Sequence, residues 1–265
     1  MAGNGRDPGR SVASKIFAIM GALGRSAQSY SAAELSRTTA LPATTVLRLL
    51  REMEALNVVR RTAAGRYEIG LDVWRWGVRV PQIDLIRRAA RPLMDDLQRA
   101  TRENVTLAVL DGHGSAIAVE KVSGGQSWKV VGEMGAEVPL HATAAGKVLL
   151  AYSSPAEIRR VLARPLPRYT PFTVVNPSLL DKQLSEIRRT GVGYAGEEMN
   201  LGSVSIAAPI WLHGDVVGAL SLVGHYRTAD VKSLSVAVKK VTREISDNIA
   251  KQLAEEPMPP SGHLR

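Results

Sequence analysis

The side chains that could do chemistry in this sequence are its five histidines, two of its three adjacent acid pairs and its arginines. His113, His141, His213, His225 and His263 contain no pair at the i, i+4 spacing that sets two imidazoles on one helical face, and no His-Glu-x-x-His. There is no cysteine, which excludes thiol catalysis, iron–sulfur clusters and Cys-containing zinc sites. No metal and no cofactor is expected. Those two acid pairs are Asp95-Asp96, read as a solvated helix face, and Glu197-Glu198. Ala144-Ala145-Gly146-Lys147 ends like a phosphate loop. However, His141 stands where that loop opens on Gly, and Val148 replaces its Mg²⁺-binding Ser or Thr. No Gly-x-Ser-x-Gly elbow exposes a nucleophile. Catalysis is therefore not expected. The alternatives are a small-molecule enzyme using His141 or Glu198 as acid/base, or a sensor whose basic module binds protein.

The arginines point elsewhere. Residues 1–80 hold 12 basic and 6 acidic side chains, against 34 and 25 in the whole chain, so less than a third of the length carries two thirds of the net charge of +9. A basic N-terminal module facing a polyanion fits that asymmetry. Its elements read in order. Val12, Ile16, Ile19, Met20 and Leu23 recur at helical spacing over 11–24. Ser31 and Glu34 form a capping box for a short helix at 32–38. After Thr38-Thr39-Ala40-Leu41, Pro42 opens a third helix whose inner face is Val46, Leu49, Leu50, Met53 and Leu56. Thr44, Thr45, Arg48 and Arg51 fall on its other faces. Two helices joined by a short turn, the second opening on small polar residues and an arginine, make a helix-turn-helix. Val58–Arg61 and Arg66–Ile69 then pair around Thr62-Ala63-Ala64-Gly65 as a wing, which places Arg60, Arg61 and Arg66 for phosphates.

At 265 residues the chain has room for two domains, and 45% hydrophobic with only 5% aromatic residues implies aliphatic cores. No apolar run approaches a membrane span, the N-terminus lacks the apolar stretch of a secretory signal, and the missing cysteine suits the cytoplasm. The expected domains are a disordered 1–9, a winged helix-turn-helix over 10–70, linker helices over 71–101, a ligand-binding domain over 102–254 and a disordered tail over 255–265. Within 71–101, Pro81 interrupts the first short helix and Pro92 is placed to kink the next, from Ile83 to about Thr101, and the segment offers a dimer seam or, through Trp74 and Trp76, interdomain packing. After residue 103 the period becomes two. Strands are expected at 105–109, 116–120, 128–132, 194–197, 203–212 and 216–223, with helices at 143–152, 155–163, 177–190 and 231–253. This is an α+β domain, an antiparallel sheet covered by helices.

Two motifs in this second domain carry a resemblance: Pro139-Leu140-His141-Ala142-Thr143-Ala144-Ala145-Gly146-Lys147-Val148-Leu149-Leu150-Ala151, and Arg188–Ala195 followed by Ser205-Ile206-Ala207-Ala208-Pro209-Ile210. With Leu41–Leu49 and Gly65–Gly70 in the first domain, they make the chain, from about Gly9 to Leu253, similar to the IclR-type bacterial transcriptional regulators (the isocitrate-lyase-regulator family). That resemblance implies a winged helix that binds double-stranded DNA at an operator, and a GAF-like domain that binds a small effector. It also implies a homodimer or a dimer of dimers. It points to a pocket at Thr143, Ala144, Ala145, Ser205 and Ser221. The family often places two aspartates between the Gly-Tyr-Ala strand and a Glu-Glu pair. Here Tyr194-Ala195-Gly196 runs straight into Glu197-Glu198, so an acidic pocket residue is either absent or replaced by one of those two.

The residues support the pocket independently. The helix opening at Thr143–Gly146 has small side chains, free backbone N–H groups and a positive dipole end, which together suit an anion. Ser205 and Ser221 interrupt apolar strands and could point hydroxyls inward. Thr143 could equally serve only as a cap, and Ser221 could face solvent. Leu140, Val204 and Ile206 are the expected apolar walls. The expected ligand is a small organic carboxylate, aromatic acids included.

Overall fold

A computed structural model describes residues 11–25, 29–112, 114–123 and 133–255. The chain divides after Pro81 into two compact units.

In the first unit, α1 (Val12–Leu23) is capped by Ser11, whose hydroxyl accepts from Ser14 N. α2 (Ala32–Thr39) opens on the expected capping box: Glu34 N donates to Ser31 Oγ, and Ser31 N donates to Glu34 Oε2 at 2.7 Å. Ala40 turns the chain in the left-handed region at φ 53°. Pro42 then takes the cap position, one residue earlier than expected, and α3 runs Ala43–Ala55. Missing one amide at a helix start costs nothing, so proline fits either place. β1 (Val59–Arg61) and β2 (Tyr67–Ile69) pair antiparallel with Arg60 opposite Glu68. Tyr30 and Tyr67 exchange both backbone hydrogen bonds, at 2.8 and 2.7 Å, which fastens the hairpin to the start of α2. Ile19, Leu35, Val46, Leu49, Leu50, Met53, Val59 and Tyr67 close the core. α4 (Leu71–Gly77) ends the unit, with Trp74 and Trp76 exposed.

The second unit has a sheet in the order β5-β4-β3-β8-β7-β6, antiparallel at every pairing. Its strands are β3 (Asn104–Leu110), β4 (Ala116–Val122), β5 (Glu137–Val138), β6 (Gly193–Gly196), β7 (Ser203–Leu212) and β8 (Asp215–His225). Its helices are α5 (Pro81–Thr101), α6 (Ala144–Ala151), α7 (Pro155–Leu162), α8 (Pro177–Thr190) and α9 (Val231–Glu255). The expected strand at 128–132, His113 and the two termini lie outside the described residues.

The connector expected over 71–101 is corrected. α4 belongs to the first unit. α5 is part of the second unit's core: Ile86, Ala90, Met94 and Leu97 are buried against the sheet. Its apolar stripe at helical spacing is wide enough to need a sheet face, and it has one.

The two faces of the sheet differ in side-chain size. One presents Val105, Leu107, Ile206, Ile210, Leu220 and Leu222 to α5 and α9. The other presents Ala108, Ala207 and Ala219 to α6 and α8. Alternation along each strand produces both faces at once. The small-residue face lets α6 lie close to the strands.

α5 is also held electrostatically. Arg87 Nη2 and Arg91 Nη1 donate to the two oxygens of Glu120 on β4, at 2.8 and 3.0 Å, and the carboxylate is buried. Glu120→Ala should strand the Arg87 guanidinium and leave Arg91 with Asp95 alone, to which its Nε donates at 3.1 Å; both arginines are partly exposed. The expected loss is about 1–3 kcal/mol of unfolding free energy, because the donors lose their acceptor while water still reaches them. Urea denaturation of the full chain measures it. An unchanged midpoint would mean the pair contributes nothing net.

Candidate functional site

A cavity of about 70 Å³ opens where α6 begins, between the helix and the small-residue face of the sheet. Stretches distant in the sequence build it. Ala142, Thr143, Ala144 and Ala145 supply the helix start. Thr106 on β3, Ser205 on β7, and Ser221 and Val223 on β8 supply the sheet floor. Ala195 comes from β6, and Met199, Asn200 and Ser203 come from the β6–β7 loop and the strand it enters. Val138 of β5 closes the remaining side. Among the described residues, none that lines it carries a charged side chain.

The helix start is only partly satisfied internally. Thr143 Oγ1 accepts from Gly146 N at 3.0 Å and donates to Pro139 O at 2.9 Å. Ala144 N donates to Ser205 Oγ at 3.2 Å. Among the described residues, Ala145 N has no acceptor. One of the orphan donors of the helix terminus thus sits in the wall of the cavity. Gly146 makes this possible, since a Cβ there would stand 2.3 Å from Pro139 O and 2.7 Å from Leu140 Cα.

Thr143, Ala144, Ala145, Ser205 and Ser221 are therefore brought together. Ser221 is buried and donates to Thr106 O at 3.3 Å, so it does not face solvent. Glu197 and Glu198 are not in the lining. Glu197 accepts from Gly202 N at 2.7 Å within its own loop. Glu198 turns away beneath α6, where its Oε1 takes a hydrogen bond from Lys147 Nζ at 2.5 Å and its Oε2 one from Val174 N at 3.3 Å. Both side chains of that ion pair are buried. Burial pushes the Lys147 ammonium below the usual lysine range, with the Glu198 carboxylate pulling the other way. The expected apolar walls are corrected as well. Ile206 faces α5 and α9, Val204 alternates with the lining residues Ser203 and Ser205, and Leu140 packs in the core around α6 and α8. The walls are instead Val138, Ala142, Ala195, Met199 and Val223. Sequence reasoning missed Thr106 and Ser203. The signal was present: both are hydroxyl residues on the same alternating face, and Thr106 lies directly opposite Ser221.

In the first unit, α3 buries Val46, Leu49, Leu50 and Met53 and leaves Thr44, Leu47, Arg48 and Arg51 on its exposed side, with Thr45 half-buried at the flank. Arg48 Nη1 donates to Glu52 Oε1 at 2.6 Å, both side chains being about half exposed. Arg51 has no ion pair among the described residues. On the wing, Arg60 pairs with Glu68, and Arg61 lies over the Tyr67 ring, 5.7 Å from its centre. Arg66 is already engaged. Its Nη2 donates to Ser29 O at 2.6 Å and to Glu34 Oε2 at 2.8 Å, and its Nε reaches Ser29 as well. Hydrogen bonds from Ser31 and the charge of Arg66 hold the Glu34 carboxyl below the usual carboxylate range. Arg66 therefore ties the wing to α2.

Among the described residues there is no cluster of three metal-ligating side chains, and no helix is long and apolar enough to cross a membrane.

Comparison with known proteins agrees with this geometry. Residues 12–63 match the model of the IclR helix-turn-helix domain, and residues 80–249 that of the bacterial transcriptional regulator IclR C-terminal domain. The HTH-type transcriptional regulator KdgR of Escherichia coli is 32% identical over 212 residues, 78% of this chain and 80% of the relative. The transcriptional repressor IclR of the same organism is 30% identical over 220 residues, 80% of each. A crystal structure of an IclR homolog from Microbacterium hydrocarbonoxydans, complexed with 4-hydroxybenzoate, superposes with a TM-score of 0.84 at 27% identity, covering 91% of this chain and all of that one. With a winged helix-turn-helix ahead of a helix-covered antiparallel sheet, and both family models matched along its length, the chain belongs to the IclR family of DNA-binding transcriptional regulators.

Proposed function

We propose that this regulator binds one operator sequence through α3 and the wing, and that a small organic acid in the α6 cavity controls that binding. The observation that carries the effector reading is the Ala145 amide, without an acceptor among the described residues, in the wall of a cavity whose described lining bears hydroxyls and no charged side chain. A carboxylate there gains a backbone donor and the positive end of the helix dipole. Among the described residues it meets no anionic side chain, since both glutamates of the neighbouring loop are turned elsewhere. The M. hydrocarbonoxydans homolog with 4-hydroxybenzoate supports an acid of that size class. The reading assigns no catalytic step to the chain and places it in the cytoplasm with its operator.

On the DNA side, Thr44, Arg48 and Arg51 take the base edges, with Thr45 at the flank, and Arg60 and Arg61 take phosphates. Arg66 acts by holding the wing in place. Opening the exposed Arg48–Glu52 pair costs little, because such helix pairs are worth about 0.3–0.5 kcal/mol. Arg48→Ala is expected to cost about 1–3 kcal/mol on the operator and to relax one base position. Arg61→Ala is expected to weaken all sequences alike and to lower the salt slope by about one. Fluorescence titrations against operator and random duplexes over a salt series separate the two. An equal loss on both duplexes for Arg48→Ala would remove it from base reading.

One α3 covers too few base pairs for specificity, so the active form is taken to be a homodimer, or a dimer of dimers, on paired half-sites about 10 base pairs apart. Sedimentation equilibrium should return at least twice the monomer mass. A monomer that protects a single half-site in footprinting would contradict this.

For the effector, thermal denaturation with 4-hydroxybenzoate, benzoate and short aliphatic acids should give a stabilisation of about 2.7 kcal/mol at 100 times Kd. Ser221→Leu fills the floor of the cavity and should abolish it while operator affinity stays unchanged. Acids that still stabilise the Ser221→Leu variant would place their site elsewhere.

A further inference from the structure

The ion pair of Lys147 and Glu198 lies outside the cavity lining and makes no use of the solvent. A buried pair of this kind is weak as a source of stability, because desolvation offsets most of the attraction. Its partners suggest a different role. Lys147 Nζ, on α6, reaches Glu198 Oε1 and also lies 3.5 Å from Tyr194 O of β6. Glu198 Oε2 accepts from Val174 N. The backbone carbonyls of Glu197 and Glu198 accept from Thr170 Oγ1 and Thr173 Oγ1, both at 2.6 Å. Upstream, His141 Nε2 lies 2.8 Å from Pro167 O, and the His141 and Tyr169 rings lie 5.7 Å apart. The irregular segment 163–176 thus bridges two rims of one cavity. At one end it holds the turn that carries Ala142 and Thr143, and at the other the loop that carries Met199, Asn200 and Ser203. Glu198 is where α6, this segment and the loop meet.

We infer that Lys147 and Glu198 are positioning residues of the effector site: without touching the ligand, they hold the β6–β7 loop against α6 and so govern opening of the cavity. The inference rests on the reading of that cavity as the effector site. Met199 follows Glu198 directly in the chain, so the loop cannot move away from the helix start while the pair is intact. An overall neutral pair does this without placing a net charge beside a bound anion. A single hydrophobic contact there would hold the loop less specifically in register.

The sequence contains no cysteine, which gives a direct test. Ser203→Cys in the full chain puts one thiol in the cavity wall, and its rate of reaction with a neutral thiol reagent reports opening. Ala219→Cys, in the sheet core facing α6, is the control for global unfolding. In a Lys147→Met/Glu198→Gln background, which removes both charges and keeps the volumes, labelling at position 203 should accelerate on the order of ten-fold while the control rate stays the same. Should the double variant fail to fold, Glu198→Gln alone carries the same comparison. An unchanged rate at 203, or an equal acceleration at 203 and 219, would overturn the positioning role. Adding 4-hydroxybenzoate to the unaltered pair should slow labelling at 203. Failure of that arm counts against the cavity as effector site, while the labelling ratio still judges the pair.

Discussion

The close approach of α6 to the sheet is the constraint on which the second unit depends. A helix can lie that near a strand face only if the face is nearly flat, and Ala108, Ala207 and Ala219 make it so. Gly193 extends the same surface to β6: a Cβ there would stand 2.7 Å from Ala144 O and from a Val148 methyl. Where the alanine surface gives way to Thr106, Ser205 and Ser221, the helix ends and the cavity begins. The cavity is therefore a consequence of packing small residues up to the helix start and polar ones beyond it. The opposite face, filled with branched aliphatics against α5 and α9, supplies the hydrophobic stabilisation that the thin face cannot.

Local chemistry was legible in the sequence because it depends on neighbours a few residues away. The Ser31–Glu34 capping box, the Thr143 cap, the hairpin of the wing and the long strands expected at 203–212 and 216–223, the second of which extends over Asp215–His225, all follow from spacing. What was illegible depends on distant partners. β5 has two residues and no periodicity to detect. Arg66 looks like any wing arginine until Ser29 and Glu34 are placed beside it. α5 looks like a connector because its amphipathic pattern says that it packs, without saying on what.

The cavity was half legible, and the missing half is instructive. A helix start with small residues can be read from Thr143–Gly146, as can hydroxyls interrupting apolar strands. The fate of Glu197-Glu198 cannot. An adjacent acid pair beside a binding loop invites a role in contact with ligand. Its true surroundings are decided by Lys147, some fifty positions earlier, and by the Thr170 and Thr173 hydroxyls that fix the loop's carbonyls. A lysine inside an apolar helix with every residue buried is itself a signal, since an ammonium is never left there without an acceptor. Searching for that acceptor among the acids of the domain would have separated Glu198 from the pocket.

The two units use arginine and lysine in opposite ways, and the contrast bears on how the family's two tasks are divided. In the first unit, Arg66 apart, the paired cations stay at the surface: Arg48 and Arg60 make exposed ion pairs that water already weakens, and Arg61 lies over the Tyr67 ring. On the proposed reading, exchanging such contacts for phosphates or bases sacrifices little and needs no rearrangement of the core. In the second unit, Lys147 is buried and Arg87 and Arg91 share a buried carboxylate. Those cations are committed to holding elements together, and none of them lines the cavity. On the proposed reading, an anionic effector is met by backbone amides and hydroxyls alone. Neutral donors fixed by a rigid helix start discriminate by distance and shape, whereas a long flexible cation in the wall would accept carboxylates of many sizes. Selectivity for one acid then resides in the position of the β6–β7 loop relative to α6.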